Sequence, residues 1–340
     1  MATWCVRSRA PLRISFCGGG TDVAPYPERK GGCVLSATID KYAYVTLVPR
    51  SDQLVRASSL DVPQRIEADV GKLEYDGALD LVKAALRYFE ANQGCELYLH
   101  SDAPPGSGLG ASSTMVVALV GAIAAWLHRP LTPYEIAEAA YAIERKELRI
   151  TGGRQDQYAA AFGGVNFMEF SAGHTVVNPL RIPRADINEL WYHLALVFTG
   201  VTRESRTIID RQTRGFVEGR GRVAESLDQL KALTLDLKQA LLCAEFQRFG
   251  RLLHEAWVCK QGLDDGISTS IIADLYDIAR KNGVIGGKLL GAGGGGFLLL
   301  YCPFRERQRI LEAVTAAGGR PLDTQFEPDG LQVWRATLEE

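Results

Sequence analysis

The stretch that most constrains this chain is DAPPGSGLGASS, Asp102 to Ser113. It lies between a strand-like run, Glu96–His100, and a long apolar helix that the pattern starts at Ala111. Gly106, Gly108 and Gly110 free the backbone to turn its N–H groups inward, in conformations that other residues resist. The helix that follows adds the positive end of its dipole. Together these suit an anion, and a phosphate in particular. Ser112 and Ser113 put two hydroxyls in the first turn, able to hold Mg²⁺ or a phosphate oxygen. No lysine follows Gly110, which excludes a Walker-type loop. No acid stands about twenty residues further on, which argues against a dinucleotide fingerprint.

Two more glycine clusters flank it at a distance. In PLRISFCGGGTD, the run Leu12–Cys17 meets Gly18, Gly19 and Gly20, then Thr21 and Asp22. Either the chain turns sharply there or something passes close to the backbone, with Asp22 placed to grip a hydroxyl. In GAGGGG, Gly291, Gly293 and Gly296 match G-x-G-x-x-G, but a strand, FLLLYC, follows instead of a helix. That predicts a hairpin between Leu289–Leu290 and Phe297–Tyr301. Five glycines in six residues cost chain entropy, so something packs against that backbone.

Two acids stand out. Asp156, in TGGRQDQYAAAFGG, opens a short helix, Gln155–Ala161, where dipole compensation is its simplest role. Glu144 precedes it by twelve residues on a charge-rich helix, where solvation is the default. That helix begins at Thr132-Pro133, with Glu135 completing a capping box, and runs to about Arg149.

The remaining elements follow from pattern. Strands are expected at Leu12–Phe16, Cys33–Ile39, Tyr42–Val48, Leu54–Ala57, 191–200 and near Leu331–Arg335. Helices are expected at Gly77–Asn92, across Ser205–Lys281 and at Phe304–Ala317. At 340 residues the chain fits one large domain or two modest ones, with a break near 172–190. The net charge of −2 is spread thinly, which argues against nucleic acid as partner but not against a small anion. Seven cysteines without a CxxC pair argue against zinc or a disulfide framework and suit a reducing cytoplasm. The N-terminus lacks the apolar stretch of a signal peptide. The apolar run Met115–Leu127 is too short to span a bilayer, so no membrane association is expected.

PLRISFCGGGTD, PPGSGLGASS and KLLGAGGGGF, in this order, resemble the three motifs of the GHMP small-molecule kinases. The likeness spans nearly the whole chain. FCGGGTD and GGRQDQYAAAFGG look most like the sugar 1-kinase branch; galactokinases carry Gly-Glu-His before Thr-Asp, where this chain has three glycines. The resemblance implies an α+β fold: a ribosomal S5 domain 2-like N-terminal domain, 1–180, and a ferredoxin-like C-terminal domain, 181–340. It implies ATP and Mg²⁺ as cofactors and a small sugar, phosphorylated or free, as substrate; a homodimer is left open, as is a regulator that binds without catalysing.

By the same resemblance, Pro105, Gly106, Ser107, Gly108, Leu109, Gly110, Ala111, Ser112 and Ser113 would wrap the ATP phosphates. Ser112 and Glu144 would hold Mg²⁺, with Gly-Ala-Ser-Ser replacing the usual Gly-Ser-Ser and leaving Ser113 as the other choice. Asp156 would be the catalytic base, with Arg13 close by to position it. Gly18, Gly19, Gly20, Thr21, Asp22, Arg154, Gly293 and Gly294 would border the substrate. For a substrate phosphate, Arg29, Lys30, Arg154, Arg203 and Arg206 are the nearby cations, though surface solubility is the ordinary role of each.

Overall fold

The computed structural model describes residues 3–202 and 206–338. The chain opens with β1 (Trp4–Cys17), a short helix α1 (Tyr26–Lys30), β2 (Gly32–Pro49), β3 (Leu54–Ser59) and β4 (Arg65–Asp69). Next come α2 (Asp80–Tyr88), β5 (Cys95–Ser101), α3 (Ala111–Trp126), α4 (Pro133–Tyr141), α5 (Gln155–Phe162), β6 (Val165–Ser171) and β7 (His174–Pro179). The second half holds α6 (Arg184–His193), β8 (Leu194–Phe198), α7 (Arg206–Val217), α8 (Gly221–Leu242), α9 (Phe246–Gln261) and α10 (Ser270–Lys281). It closes with β9 (Gly286–Leu289), β10 (Phe297–Tyr301), α11 (Arg307–Ala316), β11 (Arg320–Leu322) and β12 (Gln332–Thr337).

The first sheet runs β12-β1-β2-β5-β3-β4, with β6 on β2 and β7 on β6. Its long strand β2 serves two partners: residues 32–37 pair with β6 and residues 43–49 with β5. The expected strands Cys33–Ile39 and Tyr42–Val48 are therefore one. Adjacent residues Pro11 and Leu12 pair with Tyr42 and Ile39, so Asp40 and Lys41 bulge while the ladder continues.

The second sheet is antiparallel, in the order β11-β8-β10-β9. Within that half the strands stand fourth, first, third, second, with helices in the first and third connections. This is the split β-α-β pattern of ferredoxin-like folds. The expected strand at 191–200 begins only at Leu194; Trp191–His193 close α6. The first sheet's β7 ends at Pro179, but β12 returns to pair with β1, so one cut at 180 does not separate the sheets.

Strand β1 ties the halves together. Leu12, Ile14 and Phe16 are fully buried in a cluster that includes Phe249 and Trp257 of α9, and Phe16 meets Phe249 edge to face at 5.2 Å. Burying a side chain of that size contributes roughly 2–3 kcal/mol. Further back, Val6 and Ala10 join a second cluster with the apolar helix α3. The alternate residues Arg13 and Ser15 face the other way, as strand period demands. All seven cysteines are free thiols. Among the described residues, no helix is long and apolar enough to cross a membrane.

Candidate active site

Arg13 and Ser15 open onto a cavity of about 630 Å³ walled by both halves of the chain. The loop between β5 and α3 forms one side, with Pro105, Gly106, Ser107, Gly108, Gly110, Ala111, Ser112 and Ser113 all lining it; Leu109 points into the core. Gly106, Gly108 and Gly110 have φ of +76°, +83° and +79°, the left-handed region that the sequence pattern requires. The carbonyls of this loop are tied back into the protein. Ser107 O accepts from Phe297 N at 3.1 Å, Gly108 O from Arg13 Nη1 at 2.6 Å, and Leu109 O from Arg13 N at 3.1 Å. Among the described residues, the N–H groups of Gly108, Leu109 and Gly110 donate to no protein acceptor. They stand beside the α3 N-terminus as an anion cradle.

The loop between β9 and β10 is built differently. The expected hairpin forms, Leu298 pairing with Leu289. A Cβ on Gly291 would lie 2.5 Å from Gly108 Cα, so this loop packs directly behind the first. Gly293 presses on Ile267, and Gly294 N donates to Ile267 O at 2.9 Å. Gly291 and Ala292, not Gly293 and Gly294, reach the cavity.

The acids sort into distinct environments. Arg13 Nε and Nη2 both lie 2.7 Å from Asp156 Oδ1, which leaves Oδ2 without a protein partner among the described residues. A Cβ on Gly110 would sit 3.3 Å from that Oδ2 and 3.5 Å from the guanidinium carbon, so the pair abuts the anion cradle. Asp22 is only 1% exposed. Its Oδ2 accepts from Arg154 N and Gln155 N, each at 3.0 Å, and its Oδ1 from Gly20 N at 3.0 Å. Helix α5 lacks a capping side chain of its own, and Asp22 caps it from 132 residues away. Burial pushes the Asp22 carboxyl above its usual range, with the nearby Asp156 adding to the shift and these N–H bonds opposing it. Only glycine fits at 153, where a Cβ would fall 1.9 Å from Asp22 Oδ2.

Glu144 is also 1% exposed, contrary to the solvated face expected of it. Residues 142–147 form a wide π-type turn after α4, a distortion common at functional sites. There Glu144 accepts from Ser112 Oγ at 3.2 Å, Ser113 Oγ at 2.6 Å and Gln157 Nε2 at 2.7 Å. Ser113 is buried and also accepts from Arg145 and Gln157, while Ser112 is exposed. Among the described residues, no three His, Cys, Asp or Glu side chains gather. One carboxylate and a hydroxyl suit a hard cation such as Mg²⁺, which draws most of its ligands from phosphates and water.

Several expected contacts lie elsewhere. Gly18 packs on the Cys33 carbonyl, and Thr21 is fully buried on Gly18 O and Cys33 O. Gly19, Gly20 and Asp22 do line the cavity. Arg154 turns away, to Glu28 at 3.2 Å and over the Tyr141 ring. Arg29 stacks over Phe216, and Lys30 pairs with Asp228 at 2.5 Å. Arg203 lies outside the described residues, and Arg206 lines the cavity. Sequence reasoning passed over Arg145, Gln155, Gln212, Lys260 and Lys288. Lys288 stands within KLLGAGGGGF, and Gln155 beside Asp156; for Lys260 no local signal exists.

Comparison with known proteins places this arrangement. Residues 80–164 match the GHMP kinases N terminal domain, and residues 237–320 the GHMP kinases C terminal domain. A D-glycero-alpha-D-manno-heptose 7-phosphate kinase of Campylobacter jejuni is 37% identical over 97% of this chain and 99% of its own. An L-fucokinase/L-fucose-1-P guanylyltransferase of Bacteroides fragilis is 28% identical over 97% of this chain but only 38% of its own. The crystal structure of a D-glycero-D-manno-heptose 1-phosphate kinase from Bacteroides thetaiotaomicron superposes with a TM-score of 0.82 at 34% identity, covering 97% of this chain and 98% of that one. With its motifs, its two-sheet fold and a near full-length relative above one-third identity, the chain belongs to the GHMP kinase family.

Proposed function

We propose that the protein is an ATP-dependent sugar 1-kinase that phosphorylates the anomeric hydroxyl of D-glycero-D-manno-heptose 7-phosphate. The observation that carries this reading is the Arg13–Asp156 pair abutting the Gly108–Gly110 cradle. A base beside a phosphate loop is what phosphoryl transfer to a hydroxyl requires, since positioning and charge stabilisation supply most of its catalysis. The near full-length relative supports the choice of a heptose phosphate.

The N–H groups of Gly108–Gly110 and the α3 N-terminus hold the ATP phosphates and donate to oxygens that gain charge during transfer. Asp156 Oδ2 takes the proton of the sugar hydroxyl as its oxygen bonds to phosphorus and the bond to ADP breaks. The anomeric hydroxyl is more acidic than an ordinary alcohol, so a carboxylate suffices as base. Arg13 fixes Asp156 through Oδ1 and braces Gly108 O, tying base and cradle into one unit. Asp22 and Gln155 border the sugar side of the cavity. Glu144 and Ser112, the more open of the two serines, would hold Mg²⁺, which when bound neutralises phosphate charge.

The test is ADP release against heptose 7-phosphate, mannose, fucose, galactose and mevalonate, with phosphorus NMR of the product. A new anomeric phosphate signal from heptose 7-phosphate alone is the expected result. Turnover of a free sugar instead would move the protein to the unphosphorylated-sugar kinases.

A further inference from the structure

Two lysines at the floor of the cavity have no part in the mechanism above. Lys260 of α9 and Lys288 of β9 are 6% and 4% exposed, and both line the cavity. Among the described residues neither forms an ion pair. Lys260 Nζ donates to the carbonyls of Leu289, at 3.3 Å, and Gly291. Lys288 Nζ donates to Ser15 O at 2.7 Å. An ammonium has three N–H donors, so one remains on Lys260 and two on Lys288. The hydroxyl of Ser15, itself 4% exposed, also lacks a partner among the described residues. It sits beneath Gly19, where an added Cβ would lie 3.8 Å from the Ser15 oxygen.

Burying two cations without counter-ions costs several kcal/mol each, which their bonds to three carbonyls offset only in part. Burial, then mutual repulsion and Arg13, push Lys260 well below its ordinary value, with the Cys17 thiol opposing; burial is also the main cause that brings Lys288 to about 8. A dianion arriving here would relieve both. The place is informative too. Ser15 stands two residues along β1 from Arg13, which holds the base Asp156, and so about 7 Å from Arg13 by strand rise. That span is comparable with the reach of a seven-carbon sugar from its anomeric oxygen to a phosphate at the other end.

We infer that Lys260, Lys288 and Ser15 form a second anion site, which takes the phosphate that the sugar already carries while the Gly108–Gly110 loop takes those of the nucleotide. This rests on the sugar-phosphate reading above.

Lys288→Met, Lys260→Met and Ser15→Ala test it. Each lysine variant should raise KM for heptose 7-phosphate roughly 10- to 100-fold, the loss of one charge-assisted hydrogen bond. KM for ATP and kcat at saturating sugar should stay within about threefold. Ser15→Ala should raise the same KM a few-fold. Melting temperature should hold or rise in all three, because an uncompensated polar group has left the interior; Lys288→Arg should restore part of the affinity. A change confined to ATP KM or to kcat would overturn the site. So would unchanged sugar KM in an enzyme that demands the phosphorylated sugar. If the wild-type enzyme instead uses free sugars and rejects heptose 7-phosphate, the functional reading falls first and the site falls with it.

Discussion

In the loop after β5, the carbonyls of Ser107, Gly108 and Leu109 are tied back and, among the described residues, the N–H groups of Gly108–Gly110 have no protein acceptor. In the loop after β9, the N–H groups of Gly294 and Gly296 are the ones tied down, to Ile267 O and Val201 O. Both loops are glycine-rich, yet their backbones serve different ends. Left-handed φ is common to both, at Gly106, Gly108 and Gly110 in the first and at Gly291, Gly293, Gly294 and Gly296 in the second, but only the first leads into a helix N-terminus. The second has its backbone against the first loop, Ile267 and Val201, which excludes side chains there as well. A glycine count does not separate a binding loop from a supporting one. What separates them is which backbone groups the rest of the protein has already taken.

The largest expected effect lies at the presenting loop's neighbour. Asp156→Asn should lower kcat by at least about a hundredfold, with ATP affinity near wild type and a lowered melting temperature, because the buried Arg13 loses its counter-ion. Titration of nucleotide binding alongside single-turnover rates would check this; turnover within a few fold of wild type would remove Asp156 as the base.

Gly108→Ala comes next, since this glycine belongs to both loops' contact. At φ +83° its Cβ would lie 2.6 Å from Leu290 O. The expected cost is about 2–4 kcal/mol of stability, with weaker ATP binding in the molecules that fold. Gly291→Ala should cost about 1–3 kcal/mol by denaturant unfolding, because its Cβ would press on Gly108 Cα at 2.5 Å. Its effect on ATP KM should be smaller than that of Gly108→Ala. The reverse ranking would mean that the second loop is itself a binding loop.

The approach to the second loop can be read through pH. Lys288 titrates near 8 when folded and near 10.5 when unfolded, so between those values the unfolded chain binds more protons. Stability should rise as pH climbs from about 8 to 10.5, and the gain is lost as pH falls through about 8. Lys260, Arg13 and the Cys17 thiol face the same space, so the difference between wild type and Lys288→Met isolates the effect. The smallest change is expected at Gly173, in the exposed turn between β6 and β7. Its φ is +75° and a Cβ there meets nothing within 4 Å. Gly173→Ala should cost about 1 kcal/mol and leave kinetics unchanged, which calibrates strain without contact.

The sequence alone determined the features that act over a few residues. The left-handed glycines, the hairpin at Leu289–Phe297 and the reciprocal Thr132–Glu135 cap all follow from turn chemistry and capping within a short window. The family motifs picked out Asp156, Glu144 and Ser112, and these do border one cavity. Tertiary structure alone decided what joins distant segments. It set Asp22 on the N-terminus of α5, returned β12 to β1, turned Arg154 out of the cavity and brought Lys260 and Lys288 to its floor. Local signals cannot report such contacts: a buried charge is tolerated only where remote groups meet it, and those groups are fixed by packing across the whole chain.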